Sequence, residues 1–475
     1  MKRFQLLEEE EIKTIHEATL EILEKIGIRC KSEKFREVLA DNGCKVEGEW
    51  VKFPPEVVER FLQKVPAEFK LYGRDGKTVL EIGKKHAYAQ NCSGTPRVVD
   101  LDTGERREYV LQDLADMTRL IDALPNIHIV SCGVPTDVEE QVYMVVEIAT
   151  MLRNTMKPVR LPIESAAEMK YICELLSLLA GSMEQFRQKP FLYLEVSPLS
   201  PLDYAREPAD LIIALAEEGI PVGIIPCPMM GATGPMTLIG SVAQHNAEIV
   251  AGVVAAEMVN PGVPVMMSPR VTFMDMRSGL GLWAAPETGL AGVCSAQLAN
   301  YYNIPVSVSG YSAAAQVADQ QSGYERCYNA LLNALVGVDV LAAAGALDNC
   351  LTQCYVQLVL DDEISSMVRS TFRKLDVAPE TLAVDVVAEV ISTKGSFLGH
   401  KHTRKYLRAG ELWMPPVGSR LSFNEWAETK ETIEDRARSK AKEILQSERT
   451  PVLDPQVEAE MDRIIETARK ELTAA

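Results

Sequence analysis

From about residue 111 the chain repeats one pattern: a short apolar run, a break at Gly, Pro or polar residues, then a longer stretch with helical spacing of its apolar positions. The apolar runs fall at residues 127–133, 158–163, 190–196, 221–226, 264–268, 305–309 and 338–344, and a proline stands before five of them. Between them, residues 138–153, 166–180, 208–218, 236–259, 286–302 and 323–336 read as helices. Strands that alternate with helices pair in parallel, because a parallel neighbour is reached only through a crossover. Seven or eight evenly spaced units predict an α/β fold, a (β/α)8 TIM barrel over residues 85–395. A doubly wound sheet is the alternative, disfavoured because no glycine fingerprint for a dinucleotide follows the first strand.

The flanks have a different texture. Residues 1–84 read as an acidic helical region, with Ile12, Ile15, Ala18, Leu20, Ile22 and Leu23 on one helix and Val57, Val58, Phe61 and Leu62 on another opened by Pro54-Pro55. Residues 77–83 and 86–91 read as short strands. Residues 396–475 form a charged helical extension, with long amphipathic helices expected over 423–446 and 457–472, packed on the outside of the barrel or against another subunit. The chain is expected to form a homo-oligomer.

At 475 residues, 47% apolar and 24% charged, the composition is that of a globular protein. The net charge of −18 argues against nucleic acid as a partner. No apolar stretch reaches spanning length, so no membrane is expected. Ten cysteines without a CxxC pair, mostly in apolar segments, and an opening without a secretory signal point to a reducing cytoplasm. His400-Lys-His402 and Cys350-x-x-x-Cys354 are the close pairs of metal-ligand type; neither has a second half, so no metal is expected.

In a barrel the chemistry sits at the C-terminal ends of the strands. That rule selects Glu164, Glu195, the turn 226–235, Arg270, the segment 310–325 and the turn 345–350. Glu195 lies inside an apolar strand, where a carboxylate is costly unless paired. The segment 310–325 combines small residues with Gln316, Asp319, Gln320, Gln321 and Glu325. The Met229-Met230-Gly231-Ala-Thr233 turn lacks the Lys-Ser/Thr of a phosphate loop and offers a soft, roomy rim. Tyr88, Tyr193, Tyr311, Tyr324 and Tyr355 are placed near that rim, and aromatic faces bind quaternary ammonium groups.

Five motifs, in order along the chain, carry a family resemblance. They are Thr103-Gly-Glu-Arg-Arg-Glu-Tyr with the run 111–126; Pro226-Cys-Pro-Met-Met-Gly-Ala-Thr-Gly-Pro-Met-Thr; Asp319-Gln-Gln-Ser-Gly-Tyr-Glu; Gln357-Leu-Val-Leu-Asp-Asp-Glu-Ile; and His402-Thr-x-x-Tyr-Leu-Arg. Together the chain resembles the trimethylamine methyltransferase (MttB) family. The resemblance implies a TIM barrel that moves a methyl group from a methylated amine to the cobalt of a corrinoid held by a cognate partner protein, with no cofactor tightly bound by the barrel itself. Trimethylamine-specific members carry pyrrolysine in the segment matching residues 319–325, where this chain has ordinary side chains. That departure points to the branch that demethylates quaternary amines such as glycine betaine, proline betaine, carnitine or γ-butyrobetaine. A tertiary-amine methyltransferase, a barrel lyase or hydrolase, and a betaine-binding barrel without catalysis are the alternatives.

Site roles follow from that resemblance. Tyr88, Tyr311 and Tyr324 would cage the ammonium, with Tyr355 near them, and Glu195 or Asp319 would balance its charge. Asn91, Gln316, Gln321 or Arg270 would hold a substrate carboxylate, and Met229, Met230, Gly231 and Thr233 would face the corrinoid. The residues around Asn349-Cys350 and Gln353-Cys354-Tyr355 depart from the family pattern and are expected to influence substrate choice.

Overall fold

A proline before an apolar run blocks helix continuation and starts the run extended. The computed structural model, which describes residues 4–131, 133–448 and 452–473, carries a strand on most of these runs. We number the parallel strands β1 (Tyr88–Asn91), β2 (Val159–Pro162), β3 (Leu192–Val196), β4 (Val222–Ile224), β5 (Val265–Met267), β6 (Ser307–Ser309) and β7 (Val340–Ala344). Strands β2, β3, β4 and β5 form one sheet of adjacent parallel pairs, and β6, β7 and β1 form another in that order. Every residue of β1, β3, β4, β5 and β7 is buried, as expected of parallel strands covered on both faces. The fold is mixed α/β.

The run at 127–133 does not form a strand of its own. It contributes single parallel bridges, Gln90 to Ile129 and Val130 to Val159, and a third bridge joins Met267 to Val306. Cys132, which falls in this run, lies outside the described residues.

Helices follow the strands and stay close to the spans read from the sequence, including Arg206–Glu218, Leu238–Val259, Pro286–Tyr301 and Gln320–Val336. The helix Leu238–Val259 is apolar nearly all round and buried nearly all round. It lies between the sheet and the N-terminal helices Glu9–Glu21, Glu33–Asp41 and Pro55–Leu62, so both faces are covered. The N-terminal region is not helical alone. Its strands Ile28–Cys30, Lys45–Glu47 and Trp50–Lys52 form an antiparallel sheet, and Ile28–Cys30 also pairs in parallel with Asp203–Tyr204.

The helix read over 423–446 is two helices, Phe423–Thr429 and Ile433–Gln446. Lys430 adopts a φ of 55°, and the Thr432 hydroxyl and Asp435 form a capping box that starts the second helix afresh. Among the described residues no helix is long and apolar enough to cross a membrane.

Candidate active site at the strand ends

Glu195 on β3 and Arg160 on β2 sit on neighbouring strands, are 0% and 1% exposed at the side chain, and form an ion pair. The Ser268 hydroxyl donates to Glu195 Oε1 at 2.5 Å, and the Arg160 guanidinium reaches the hydroxyls of Ser93 and Ser131. The glycine at 223 makes room for this pair: a Cβ there would stand 2.5 Å from Glu195 Cγ. The charge of Glu195 is therefore met within the protein, which is what keeps a buried carboxylate tolerable.

Above this pair, at the C-terminal ends of the strands, lies a cavity of about 300 Å3. Its wall includes Asn91, Arg160, Cys227, Arg270, Trp283 and Cys350, with Gln90, Ser309, Ala342 and Ala343 completing it from β1, β6 and β7. Tyr193 donates from its phenol to Gln90 Oε1 at 2.7 Å, beneath the cavity. Asn91 is clamped by Ser131: its amide donates to the Ser131 carbonyl at 2.9 Å and its carbonyl accepts from the Ser131 N–H at 2.5 Å.

Arg270 is 7% exposed and its guanidinium donates to the Ser307 carbonyl at 2.6 Å, the Pro269 carbonyl at 2.9 Å and the Ser307 hydroxyl at 3.0 Å. All three acceptors are neutral. Among the described residues no carboxylate lies within ion-pair distance of it, and burial pulls its pKa below the ordinary arginine range. The cavity thus carries one matched pair and one unmatched cation.

Three thiols share the wall. Cys92 and Cys350 are hydrogen-bonded to each other, and Cys350 also donates to the Ser312 hydroxyl at 3.5 Å. That thiol–thiol bond holds Cys350 below the usual cysteine range and, with burial, pushes Cys92 well above it. Among the described residues no group of three or more His, Cys, Asp or Glu is arranged to hold a metal ion.

The remaining candidates lie elsewhere. Tyr311 is fully buried outside the cavity and burial pushes its phenol up. Tyr355 donates to Asp113 Oδ1 at 3.0 Å, the Tyr88 phenol accepts from the Glu81 N–H at 3.2 Å, and Tyr324 is 64% exposed on a helix. The structure does not bring these tyrosines together into a cage; the aromatic face on the cavity wall is Trp283. Asp319 caps the helix Gln320–Val336, accepting from the Ser322 N–H at 3.2 Å. Gln321 donates to Glu325 at 2.9 Å, and Gln316 and Glu164 are exposed.

The turn after β4 holds its shape through the Met229 N–H, which donates to the Thr233 hydroxyl at 2.8 Å, and through Gly231 at a φ of 85°. Met230 is buried in a cluster with Val242 and Val271, whereas Met229 reaches toward Gly281. Exposed Met236 and Met276 flank Gly231, giving this side of the mouth an apolar rim.

Comparison with known proteins decides the lineage. Residues 1–473 match the family described as trimethylamine methyltransferase (MTTB). The chain belongs to this family. It is 32% identical over 475 residues to the glycine betaine methyltransferase of Desulfitobacterium hafniense (strain Y51), covering 99% of this chain and 98% of that one. It is 30% identical over 470 residues to the trimethylamine methyltransferase MttB of Desulfitobacterium hafniense (strain DSM 10664 / DCB-2), covering 98% and 94%. The crystal structure of the Methanosarcina barkeri monomethylamine methyltransferase (MtmB) shares the fold, with a TM-score of 0.54 at 15% identity over 99% of this chain and 88% of that one.

In this member of the trimethylamine methyltransferase family the family-like motifs build the cavity's support. Arg326 and Asp361 form a buried ion pair at 2.8 Å, and Arg326 also donates to the carbonyls of Tyr311 and Ala346. Ser322 joins Arg326 to Gln357, and Gln357 donates to Asp361 at 2.9 Å. This network fixes the segment after β6 against the turn after β7. In that turn Asp348, Asn349 and Cys350 take φ values of 54°, 52° and 67° in succession. Such a run costs about 1 kcal/mol or more per residue and persists only where its surroundings dictate it. Here the Asp348 and Asn349 N–H groups donate to Ala315 and Ala313 at 2.8 and 2.9 Å, and Arg106 pairs with Asp348 at 2.6 Å.

The sequence reading missed Arg160, Trp283 and the thiol of Cys92, and took in Cys227 only as part of the turn 226–235. Arg160 had a usable signal, a charge inside the apolar strand Val-Arg-Leu-Pro, the same signal that singled out Glu195. Trp283 had none beyond its place in the loop region after the fifth apolar run.

Proposed function

We propose that the chain demethylates a betaine, a quaternary amine bearing its own carboxylate, and passes the methyl to cobalt(I) of a corrinoid held by a separate cognate protein. Arg270 carries this reading. A buried cation whose acceptors are all neutral, on a wall whose other charges are matched, calls for an anionic group in the ligand. With the carboxylate on Arg270, the ammonium group would meet the Trp283 ring, a contact of about 0.5–2 kcal/mol. Trimethylamine, named in several relatives, has no carboxylate and would leave Arg270 unmatched.

The chemistry asks little of acids and bases. A quaternary nitrogen departs as a neutral tertiary amine, so no proton need be delivered, and the acid beneath the cavity is committed to Arg160. The corrinoid, when its carrier docks, supplies the nucleophile. This chain's residues hold the cation in line with the mouth and exclude water. Asn91 would add a hydrogen bond to the substrate. Met229, Gly231 and Thr233, with exposed Met236 and Met276, offer an apolar rim that fits the flat face of a macrocycle. The same reading takes the two parallel sheets as one (β/α)8 barrel, since the bridges at Gln90–Ile129, Val130–Val159 and Met267–Val306 link them at both junctions.

Methylation of free cob(I)alamin, followed spectroscopically, tests this with glycine betaine, proline betaine, carnitine, γ-butyrobetaine, choline and trimethylamine. Methylcobalamin is expected from carboxylated substrates alone. Arg270→Gln should raise KM about 10- to 100-fold, the loss of a charge-assisted hydrogen bond of about 1.5–3 kcal/mol. Turnover of trimethylamine, indifferent to Arg270→Gln, would overturn the reading.

A further inference from the structure

The helix Tyr355–Ser370 runs back from β7 to the opposite end of the sheet, where the Arg369 guanidinium stands 5.9 Å over the ring of Tyr88, the first residue of β1. Residues 372–411 leave the body there. They fold on themselves into three helices, Pro379–Leu382, Val384–Ser392 and Lys401–Arg408. Ion pairs of Arg373 with Glu411 at 4.0 Å and of Glu380 with Lys405 tie the excursion together, and His400 Nε2 stands 3.6 Å from a Glu389 carboxylate oxygen. Among the described residues no hydrogen bond or ion pair joins residues 374–410 to the body.

The excursion has almost no core of its own. Val390 is its buried apolar residue, while Val384, Val387 and Ile391 project from one helix at helical spacing and Val377 and Leu398 are 80% and 86% exposed. Ten large apolar side chains are exposed within these forty residues. Their exposed area is on the order of 1,000 Å2, above the roughly 800 Å2 per partner of a standard interface and beyond the patch a monomer usually shows.

We propose that residues 372–411 are an arm that docks on a second copy of this chain. Three observations select that occupant. The arm is rooted at the end of the sheet remote from the cavity, so a partner engaged in the chemistry at the mouth does not meet its root. It is basic in an acidic protein: seven Lys and Arg against five Asp and Glu give +2, which leaves −20 of the chain's −18 on the remainder. The helix Lys401–Arg408 holds four of the basic residues and no acid. The apolar area is large enough to need permanent cover, and two copies related by a twofold axis cover two arms at once. The inference rests on the proposed function only in placing the chemistry at the cavity mouth.

Light scattering on the eluting full chain at micromolar concentration tests it. The wild type is expected at a multiple of 52.4 kDa and the Val387→Asp/Ile391→Asp variant at a single chain mass. Both positions are exposed, so the variant's body should fold, and Leu398→Asp serves as an independent second variant. Mixing isotopically light and heavy copies before lysine cross-linking should join Lys401 or Lys405 of one copy to the body of the other. A wild-type monomer, variants that keep the oligomer mass, or arm cross-links confined to one copy would each overturn the proposal. So would an arm protected only when a corrinoid protein is added.

Discussion

Around the cavity, charges are buried and, Arg270 apart, matched; on the arm, apolar side chains are exposed and charges lie on the surface. Arg160, Glu195, Arg326 and Asp361 are withdrawn from water, and each has its opposite. On the arm, Glu380 and Lys405 pair with more than half of each side chain exposed, while Val377 and Leu398 are almost bare. The contrast shows two kinds of unmet requirement. At the cavity wall the unmatched group is a single charge, Arg270, and the complement we propose for it is a small ligand. On the arm it is an apolar surface, and its complement is another protein face.

The largest expected effect separates these two regimes. Glu195→Ala leaves Arg160 buried without a counter-charge and should lower unfolding stability by about 3–5 kcal/mol. Ile391→Ala on the arm, measured in the same denaturant series at a concentration that keeps the chain monomeric, should change it by no more than about 0.5 kcal/mol. Equal losses at the two sites would erase the distinction.

How much of this was legible beforehand divides along the same line. Apolar runs, five of them led by proline, announced six of the seven parallel strands because that signal is local. Tyr88–Asn91 was read too, as a short strand, but outside the repeat; its parallel pairing with β7 spans most of the chain. Glu195 was legible as an acid in an apolar strand. Its partner was not, because Arg160 is next to it only through β-pairing. The tyrosines were placed at the rim, but Tyr311 and Tyr355 pack outside the cavity, where an α/β protein also buries large side chains. Residues in the motifs that resemble the family, Ser322, Gln357 and Asp361, form a buried support rather than touch the cavity. The basic run 399–408 of the arm was read as a docking or capping segment, but its apolar helix was illegible for a physical reason: Val384, Val387 and Ile391 have the spacing of a core-facing helix, and sequence alone does not say which chain supplies the core.

The pH response sharpens the comparison at intermediate size. Burial raises Glu168 to about 7, although it accepts from the Val145 N–H at 2.9 Å. A carboxyl whose native pKa is raised holds its proton more tightly when folded, so its contribution to stability falls as pH rises from about 4.5 to about 7. Buried His245, lowered to about 3, contributes the opposite slope up to its unfolded value, so the total curve mixes the two. The difference between Glu168→Gln and wild type isolates the carboxyl. It should be near zero at pH 4.5, grow in favour of the variant by at most about 1.4 kcal/mol per pH unit, and level off above pH 7. A difference independent of pH would mean that Glu168 is hydrated in the native state.

The smallest effect is the most exposing test of the arm. Glu380 is held below the usual glutamate range by its hydrogen bond to Lys405, and Lys405 is raised in turn, yet both side chains are more than half exposed. Solvent screens such a pair almost completely. In monomeric chain, Lys405→Gln should therefore leave the denaturant midpoint unchanged. If residues 372–411 instead form part of the cooperative body, loss of a link between two of their helices would propagate and the midpoint would fall. An unchanged midpoint in the monomer combined with a loss in the self-associated protein would locate the arm's missing contacts on the second copy.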